Sequence, residues 1–563
     1  MPVSRVDLGR LRSLLGEELS EPTLREVLFR SKVEPGAIEG SELILEVTPD
    51  RLDLLDEAGL ARELNGLLGR ARGLDYATEP APVAGAEGRQ NASVSPLRGE
   101  FQAAVVVAPA DRPLDEGLRE ELVRYQELLH STTGQDRRAG SLGLYPLERL
   151  TPPIRYALEP LGQIEFVPLG GTEPMSAARF FDEHPMAQRY GALGRQGELA
   201  LTLRDSQDRI LSLPPVLNAT PGGEIRPGDR RILIESTGTN AARVRELVGY
   251  MLLPFAGRGW KVHPFPIHRP ERVDDGLETI RSRSLSAVPT SLARTLGTRF
   301  SASELVDLFH TLRLGAEPKE GKVRVEVPPW RPDLLAECDL AEEVAIAQGY
   351  NRLAPLLAPA LTQGRRLPPA HLEDQLREVA MGMGFQELYV PTLVSAGAVA
   401  RGPGLGESLP LVNPPSQEYS HVRSSLAPGL LEALSRNTGS PYPQRVFEVG
   451  AVVVPDRTSP TRTRTERRLA LLEAAEGTGF AQAAAWGERL LTLLGVQASR
   501  EPLEVPGTLP GRSAQVRLAG ERLFWLGEVH PRVLTELKLP CAVSFLELDL
   551  TTLERLRPSP LPA

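Results

Sequence analysis

TPDRLDLLDEAGLARELNG, starting at position 48, is answered by PPWRPDLLAECDLAEEVAI, starting at position 328. Aligned without a gap, Pro49, Arg51, Asp53, Leu54, Leu55, Glu57, Leu60, Ala61 and Glu63 recur as Pro329, Arg331, Asp333, Leu334, Leu335, Glu337, Leu340, Ala341 and Glu343. Identity at a fixed offset across so long a phrase marks a duplicated structural unit. The chain must therefore fold around two copies of one small helical module, one near its N-terminus and one past its middle. The shared leucines and alanine are predicted core, and the shared Arg–Asp pair is predicted to brace the turn before the helix.

The copies differ where the second has Asp339 and Glu342 and the first has Gly59 and Arg62. A module that folds with glycine and arginine at those positions does not need the carboxylates for folding. On a helix, Asp339, Glu342 and Glu343 stand at i, i+3 and i+4 and face the same way. Asp333, in the turn upstream, can close over them. An all-oxygen set of this kind, without Cys or His, suits a hard cation such as Mg²⁺. The alternative is a capping box, with Asp339 as N-cap and Glu342 at N3. Capping leaves Asp333 and Glu343 unused, and like charges this close repel without a counter-ion.

At 563 residues the chain exceeds what one core supports, and three or four domains are expected. The expected fold class is α+β, multidomain. Residues 1–76 read as the N-terminal helical module. The small, polar and Pro/Gly-rich stretch ATEPAPVAGAEGRQNASVSPLRG (77–99) reads as a linker. Short β-like runs interrupted by helical pieces make 100–270 an α+β block. Residues 275–352 form the second module, and 360–563 open with a helix and continue in strands. No apolar run approaches the roughly 20 residues that span a bilayer, and no leader pattern is read. Cys338 and Cys541 cannot form a disulfide framework. A reducing cytoplasm is the expected compartment. A net charge of −9 argues against a surface that grips nucleic acid throughout, while leaving room for local basic patches.

The phrase PPWRPDLLAECDLAEEVAIAQGYNRL closely resembles the acidic-helix module of the phenylalanyl-tRNA synthetase β-subunit family. TPDRLDLLDEAGLARELNGLLG resembles that family's N-terminal module. FVPLGGTEPMSAARFFDEHPMAQRYGAL, LSLPPVLNA and ILIESTGTN resemble its editing domain. NPPSQEYSHVRSSLAPGLLEALSRN, YPQRVFEVGAVV, PGRSA and LGEVHPRVL resemble its synthetase-like domain. The phrases run in the family's order over essentially the whole chain and resemble its short archaeal/eukaryotic-type branch.

The resemblance implies an antiparallel class II synthetase-like domain at 360–563 and a catalytic α subunit as partner, in an α2β2 heterotetramer. The implied reaction is ATP-dependent attachment of phenylalanine to its tRNA, with ATP bound on the partner. It implies Mg²⁺ held by Asp333, Asp339, Glu342 and Glu343 near the contact with α. No catalytic residue for charging is expected in this chain. Arg445 and Glu448 only faintly echo an ATP-holding Arg–Glu pair, and no Gly-rich strand ending in Arg follows them.

The resemblance also implies an editing pocket for mischarged tyrosyl-tRNA, lined by Leu203, Ser212, Glu235 and Thr237, with His184 in DEHPM nearby. Glu235 is expected to accept the tyrosine hydroxyl and Thr237 to add a second bond. The family usually has Asp where Glu235 stands, and His-Asp where Tyr145 and Pro146 stand. A scaffold subunit with a decayed editing site is the competing reading. A free-standing aminoacyl-tRNA deacylase is a third, which the block at 360–563 disfavours.

Overall fold

The computed structural model describes residues 2–358, 362 and 364–556, which fall into two compact units, 1–357 and 358–563. The boundary expected at 360 lies outside the described residues. Among the described residues no helix is long and apolar enough to cross a membrane.

The duplicated phrase closes two modules of one chain path. The first runs through strand Val3–Asp7, helices Leu8–Leu15 and Glu21–Arg30, strands Val33–Glu39 and Glu42–Val47, and helix Glu57–Leu67. The second repeats that order with Arg283–Ala287, Pro289–Leu296, Ala302–Thr311, Gly315–Lys319, Lys322–Val327 and Glu337–Gln348. In both, the last strand lies between the other two in a three-stranded sheet. Each helical module thus also carries a sheet, built from short alternating stretches such as ELILEV and KVRVEV.

The shared Arg, Asp and Glu explain themselves in three dimensions. Arg51 is wholly buried; it donates to both oxygens of Asp53 at 2.9 and 3.0 Å and pairs with Glu63 at 3.2 Å. Arg331, equally buried, donates to Asp333 at 2.9 and 2.7 Å and to Glu343 at 3.0 Å. Burial and the neighbouring Arg331 pull Arg51 down, yet Asp53 and Glu63 hold it above its ordinary value.

The positions where the copies differ are where the modules meet. Arg62 lies 5.3 Å over the Trp330 ring, and Glu342 pairs with Lys32 at 2.9 Å. Tyr76 meets Trp330 edge-on at 4.8 Å. Gly59 has a separate cause. A Cβ there would lie 1.8 Å from the Asp53 carbonyl oxygen, so the first-copy helix approaches its own entry turn only with glycine.

Between the modules, a four-stranded antiparallel sheet is built from β1 (Glu100–Val107), β2 (Gly140–Pro146), β5 (Arg231–Gly238) and β6 (Lys261–Pro264), in the order β6-β1-β5-β2. One face packs against α1 (Glu116–Ser131) and α2 (Ala241–Ala256), burying Ala104, Leu142, Leu144, Ile232 and Ile234. The other face carries Phe101, Ala103, Tyr145 and Leu233 against a ten-stranded sheet containing β3 (Leu199–Arg204) and β4 (Ile210–Leu213). β1 is covered on both faces, which is why AAVVV reads as an unbroken apolar run.

The linker reading of 77–99 is corrected here. Gly88–Gln90 pairs in parallel with Ile154–Pro160, and Val94 is fully buried. Arg98, 1% exposed, donates to the carbonyls of Arg137 at 2.9 Å and Thr237 at 2.7 Å and to Ser141 Oγ at 3.0 Å. Polar, glycine-rich composition marks close packing around a buried guanidinium here, not a tether.

The second unit holds a seven-stranded sheet, ordered 386–387, 444–455, 463–475, 542–549, 521–529, 508–518 and 499–502, antiparallel except at its first pair. Helices Pro368–Gly382 and Phe480–Leu494 bury residues against one face and Ala427–Arg436 against the other.

Gly59→Ala is expected to cost about 3 kcal/mol, because the helix must shift off the Asp53 carbonyl. Equilibrium denaturation of the full chain reads this as an earlier transition; an unchanged midpoint would show that the turn yields freely.

Candidate functional site

The four carboxylates expected around a metal are each taken by a protein partner. Arg331 holds Asp333 and Glu343, Asp339 accepts from the backbone N–H groups of Leu335 and Ala336 at 2.7 and 2.8 Å, and Glu342 reaches Lys32. Asp339 is therefore not the N-cap with Glu342 at N3. The N-cap is Ala336, and Asp339 is itself at N3 and reaches back to the backbone before the helix. Its carboxyl is held below its ordinary value by those N–H groups despite some burial. Among the described residues the set is not gathered into one coordination site. Its donor chemistry is spent on two cations and a helix end, so the residues as placed do not fit Mg²⁺. The closest carboxylate trio among the described residues is Asp56, Glu57 and Glu121. It too is held internally, by the N–H of Ala58, by Arg124 and by Arg258.

The expected Arg445–Glu448 pair does not converge either. The two are three apart on one strand and so point to opposite faces. Arg445 pairs with Glu473, and the buried Glu448 pairs with Arg423 at 2.8 Å.

The other expected residues come together between the two sheets of the first unit. Antiparallel register sets Glu235 opposite Gly143, Thr237 opposite Ser141 and Leu233 opposite Tyr145, all on the face toward the larger sheet. From that sheet, Leu203 and Ser212 stand opposite each other on β3 and β4. Leu203, Ser212, Glu235 and Thr237 are all buried. Ser212 and Glu235 line a cleft of about 390 Å³, whose walls also include Arg119, His130, Arg137 and Tyr145. Leu203 and Thr237 lie behind them. His184 is not among the lining residues. It sits between helices Ala177–Glu183 and Pro185–Tyr190, accepts from the N–H of Met186 at 3.2 Å, and stacks on Phe180 at 4.8 Å. It is a turn residue.

At the inner end of the cleft is a contact no sequence pattern displays. The Tyr145 hydroxyl donates its one proton to Glu235 Oε2 at 3.1 Å and accepts from the Ser212 hydroxyl at 2.8 Å. Burial, and then the Glu235 charge, push the Tyr145 phenol well above its ordinary value, so it stays a donor. Burial likewise pushes the Glu235 carboxyl up to about 7, against the pull of Tyr145, Arg98 and Thr237. Glu235 Oε1 has no hydrogen-bond partner among the described residues.

At the mouth, Arg137 donates to the carbonyls of Pro215 and Val216 at 3.0 Å and to Glu127 at 2.8 Å. His130 Nε2 accepts from the N–H of Leu142 at 2.8 Å. Although burial opposes it, the bonds from His130 and Arg137 bring Glu127 down to about 2. Arg98, His130 and Arg137 escaped the sequence reading. Arg98 lay in a stretch with loop composition, and the others belong to no local motif.

Two domain families match the chain: phenylalanyl tRNA synthetase beta chain CLM domain over residues 355–550, and tRNA synthetase B5 domain over 286–350. The phenylalanine–tRNA ligase beta subunit of Thermofilum pendens is 33% identical over 556 residues, covering 98% of this chain and 97% of that one. That of Korarchaeum cryptofilum is 32% identical over 570 residues, covering 98% of each. An N-terminal fragment of the phenylalanyl-tRNA synthetase beta-subunit from Pyrococcus horikoshii shares the fold, with a TM-score of 0.58 at 23% identity, covering 62% of this chain and all of the fragment. The duplicated module, the two-sheet domain and the antiparallel unit together place the molecule among aminoacyl-tRNA synthetase subunits. More narrowly, the chain belongs to the phenylalanine–tRNA ligase β-subunit family.

Two outcomes follow from this geometry. Glu343→Ala strands the buried Arg331 and is expected to cost 3–5 kcal/mol. Glu342→Ala removes a half-exposed partner of Lys32 and should cost under about 1 kcal/mol. Equal effects on the denaturation midpoint would reinstate an equivalent role for the two. The second concerns pH. The folded Glu235 carboxyl lies at about 7, above its ordinary value of 4.5, so the native state binds the extra proton. Its contribution is full below the unfolded value and is lost as pH rises through about 7, on the order of 3 kcal/mol in all. Glu235→Gln should therefore gain on wild type between pH 5 and 8; parallel stability curves would refute the shift.

Proposed function

We infer that this β-family chain supports ATP-dependent attachment of phenylalanine to its tRNA by a catalytic α subunit, in a cytoplasmic α2β2 assembly, and clears tyrosine from that tRNA at Glu235. ATP is bound on α, and Mg²⁺ enters with the chemistry there. No ligand set for it is drawn from Asp333, Asp339, Glu342 and Glu343. The 360–563 domain is read as a non-catalytic, class II-like partner surface. The diverging Arg445 and Glu448 support this, as do Tyr389 and Val412, 85% and 95% exposed on the second unit.

The observation that carries the editing reading is Ser212 and Glu235 side by side on the cleft wall, both hydrogen-bonded to one tyrosine hydroxyl, that of Tyr145. A buried carboxyl acceptor beside a hydroxyl donor selects tyrosyl over phenylalanyl groups, because phenylalanine leaves both without a partner. Leu203 and Thr237 do not line the cleft, so Thr237, itself held by Arg98, is read as a support of Glu235 and not as the second hydroxyl contact. Clearance is ester hydrolysis: a water oxygen adds to the tyrosyl carbonyl, the bond to the terminal ribose oxygen breaks, and that oxygen receives the proton. Among the described residues no Ser–His–Asp arrangement lines the cleft, and water is taken as the nucleophile.

Glu235→Ala in the assembled α–β complex is expected to slow tyrosyl-tRNA hydrolysis about ten- to hundredfold, matching the loss of a charge-assisted bond of 1.5–3 kcal/mol. Phenylalanine charging should be untouched. Unchanged tyrosyl-tRNA clearance would put the hydroxyl contact elsewhere. The chain purified free of α should give no phenylalanine-dependent pyrophosphate exchange; exchange by it alone would place a synthetic site in this subunit.

A further inference from the structure

The pair proposed to read a substrate tyrosine is already reading one. Tyr145 belongs to the chain itself, is 1% exposed, and sends its hydroxyl to both Ser212 and Glu235. The backbone is shaped for this occupant. A Cβ on Gly143 would lie 2.3 Å from the Tyr145 hydroxyl and 2.6 Å from Glu235 Oε2, so the bond lies directly over a glycine. Gly143 is opposite Glu235 in the strand register, and any larger residue there would part the pair. β2 is the edge strand of its sheet, and Tyr145 is itself part of the cleft wall. The side chain thus stands at the boundary between core and cleft, on the strand with a neighbour on only one side.

We propose that Tyr145 is a gate in the editing pocket: its phenol is a built-in competitor for the tyrosyl hydroxyl, and a tyrosyl-tRNA is admitted only when Tyr145 yields Ser212 and Glu235. This rests on the reading of Glu235 as the hydroxyl acceptor. The gate lowers apparent affinity by the fraction of time the pocket is open. That fraction is the same for every entering group. The gate therefore slows clearance of tyrosyl- and phenylalanyl-tRNA by one common factor and leaves their ratio to Ser212 and Glu235. Correctly charged tRNA, the weaker substrate, is thereby kept from wasteful hydrolysis.

Tyr145→Phe tests this with little change of volume. It keeps the ring in the core but removes both bonds that hold the gate shut. In the α–β complex, kcat/KM for tyrosyl-tRNA hydrolysis is expected to rise at least tenfold, and that for phenylalanyl-tRNA by the same factor. Titration of the full chain with free L-tyrosine should show the same gain in affinity. A merely structural role for Tyr145 would lower both rates and weaken L-tyrosine binding. Equal or lower clearance in Tyr145→Phe, with wild type still dependent on Glu235, would overturn the gate and leave the pocket standing. If neither wild type nor Tyr145→Phe hydrolyses tyrosyl-tRNA or binds L-tyrosine, the pocket reading falls with it and the chain is a scaffold with a closed, decayed site.

Discussion

Two arginines without solvent contact organise the first unit. Arg51 and Arg331 are wholly buried, and a buried guanidinium is tolerated only where carboxylates and hydrogen bonds replace its water. In each copy the chain supplies an Asp two residues on, from the turn, and a Glu twelve residues on, from the helix. The triad therefore sets the angle between entry turn and closing helix, and through it where the shared leucines pack. The two triads lie close enough for each guanidinium to sense the aspartate of the other copy. Arg62 over Trp330 and Glu342 on Lys32 complete the join.

The same logic governs the site between the sheets, with fewer cations. Glu235 has no direct ion-pair partner. Arg98 reaches Thr237 and Ser141 beside it and contributes through space. A carboxyl kept that dry must find a neutral donor, and the donor present is a phenol. The hydroxyl that fills this role in the structure is that of Tyr145. Its scaffold is rigid: β5 is paired along both edges, by β1 and β2, and backed by α2. Tyr145 is carried on the edge strand, β2, which is paired on one side only.

Much of this was legible in the residues, and the failures share one cause. The duplication, the α+β class, the β-subunit family and the meeting of Leu203, Ser212, Glu235 and Thr237 follow from patterns that repeat or match over a stretch. Asp333, Asp339, Glu342 and Glu343 were equally visible, and their helical spacing is real. Spacing lists which carboxylates can face together; it does not say which cation already lies among them. Arg331 was in the same phrase, aligned with Arg51, yet read only as the brace of a turn. Lys32, the partner of Glu342, lies in another module. His184 was placed by its phrase near the pocket, but its imidazole is spent on capping the next helix.

By itself the sequence determined the elements, the repeat and the family, because backbone propensity, apolar period and local capping act between residues near each other along the chain. Beyond the local Arg51–Asp53 and Arg331–Asp333 pairs, tertiary structure decided the electrostatic partners. Arg98, in a stretch of loop composition, became the buried neighbour of Thr237; Glu342 became a bridge between modules; Tyr145 brought its hydroxyl to Glu235, ninety positions away. A buried polar group binds whatever donor or charge the fold brings within 3 Å, since leaving it bare costs more than most single contacts contribute. That distance is a property of the packed sheets and helices, and no local pattern carries it.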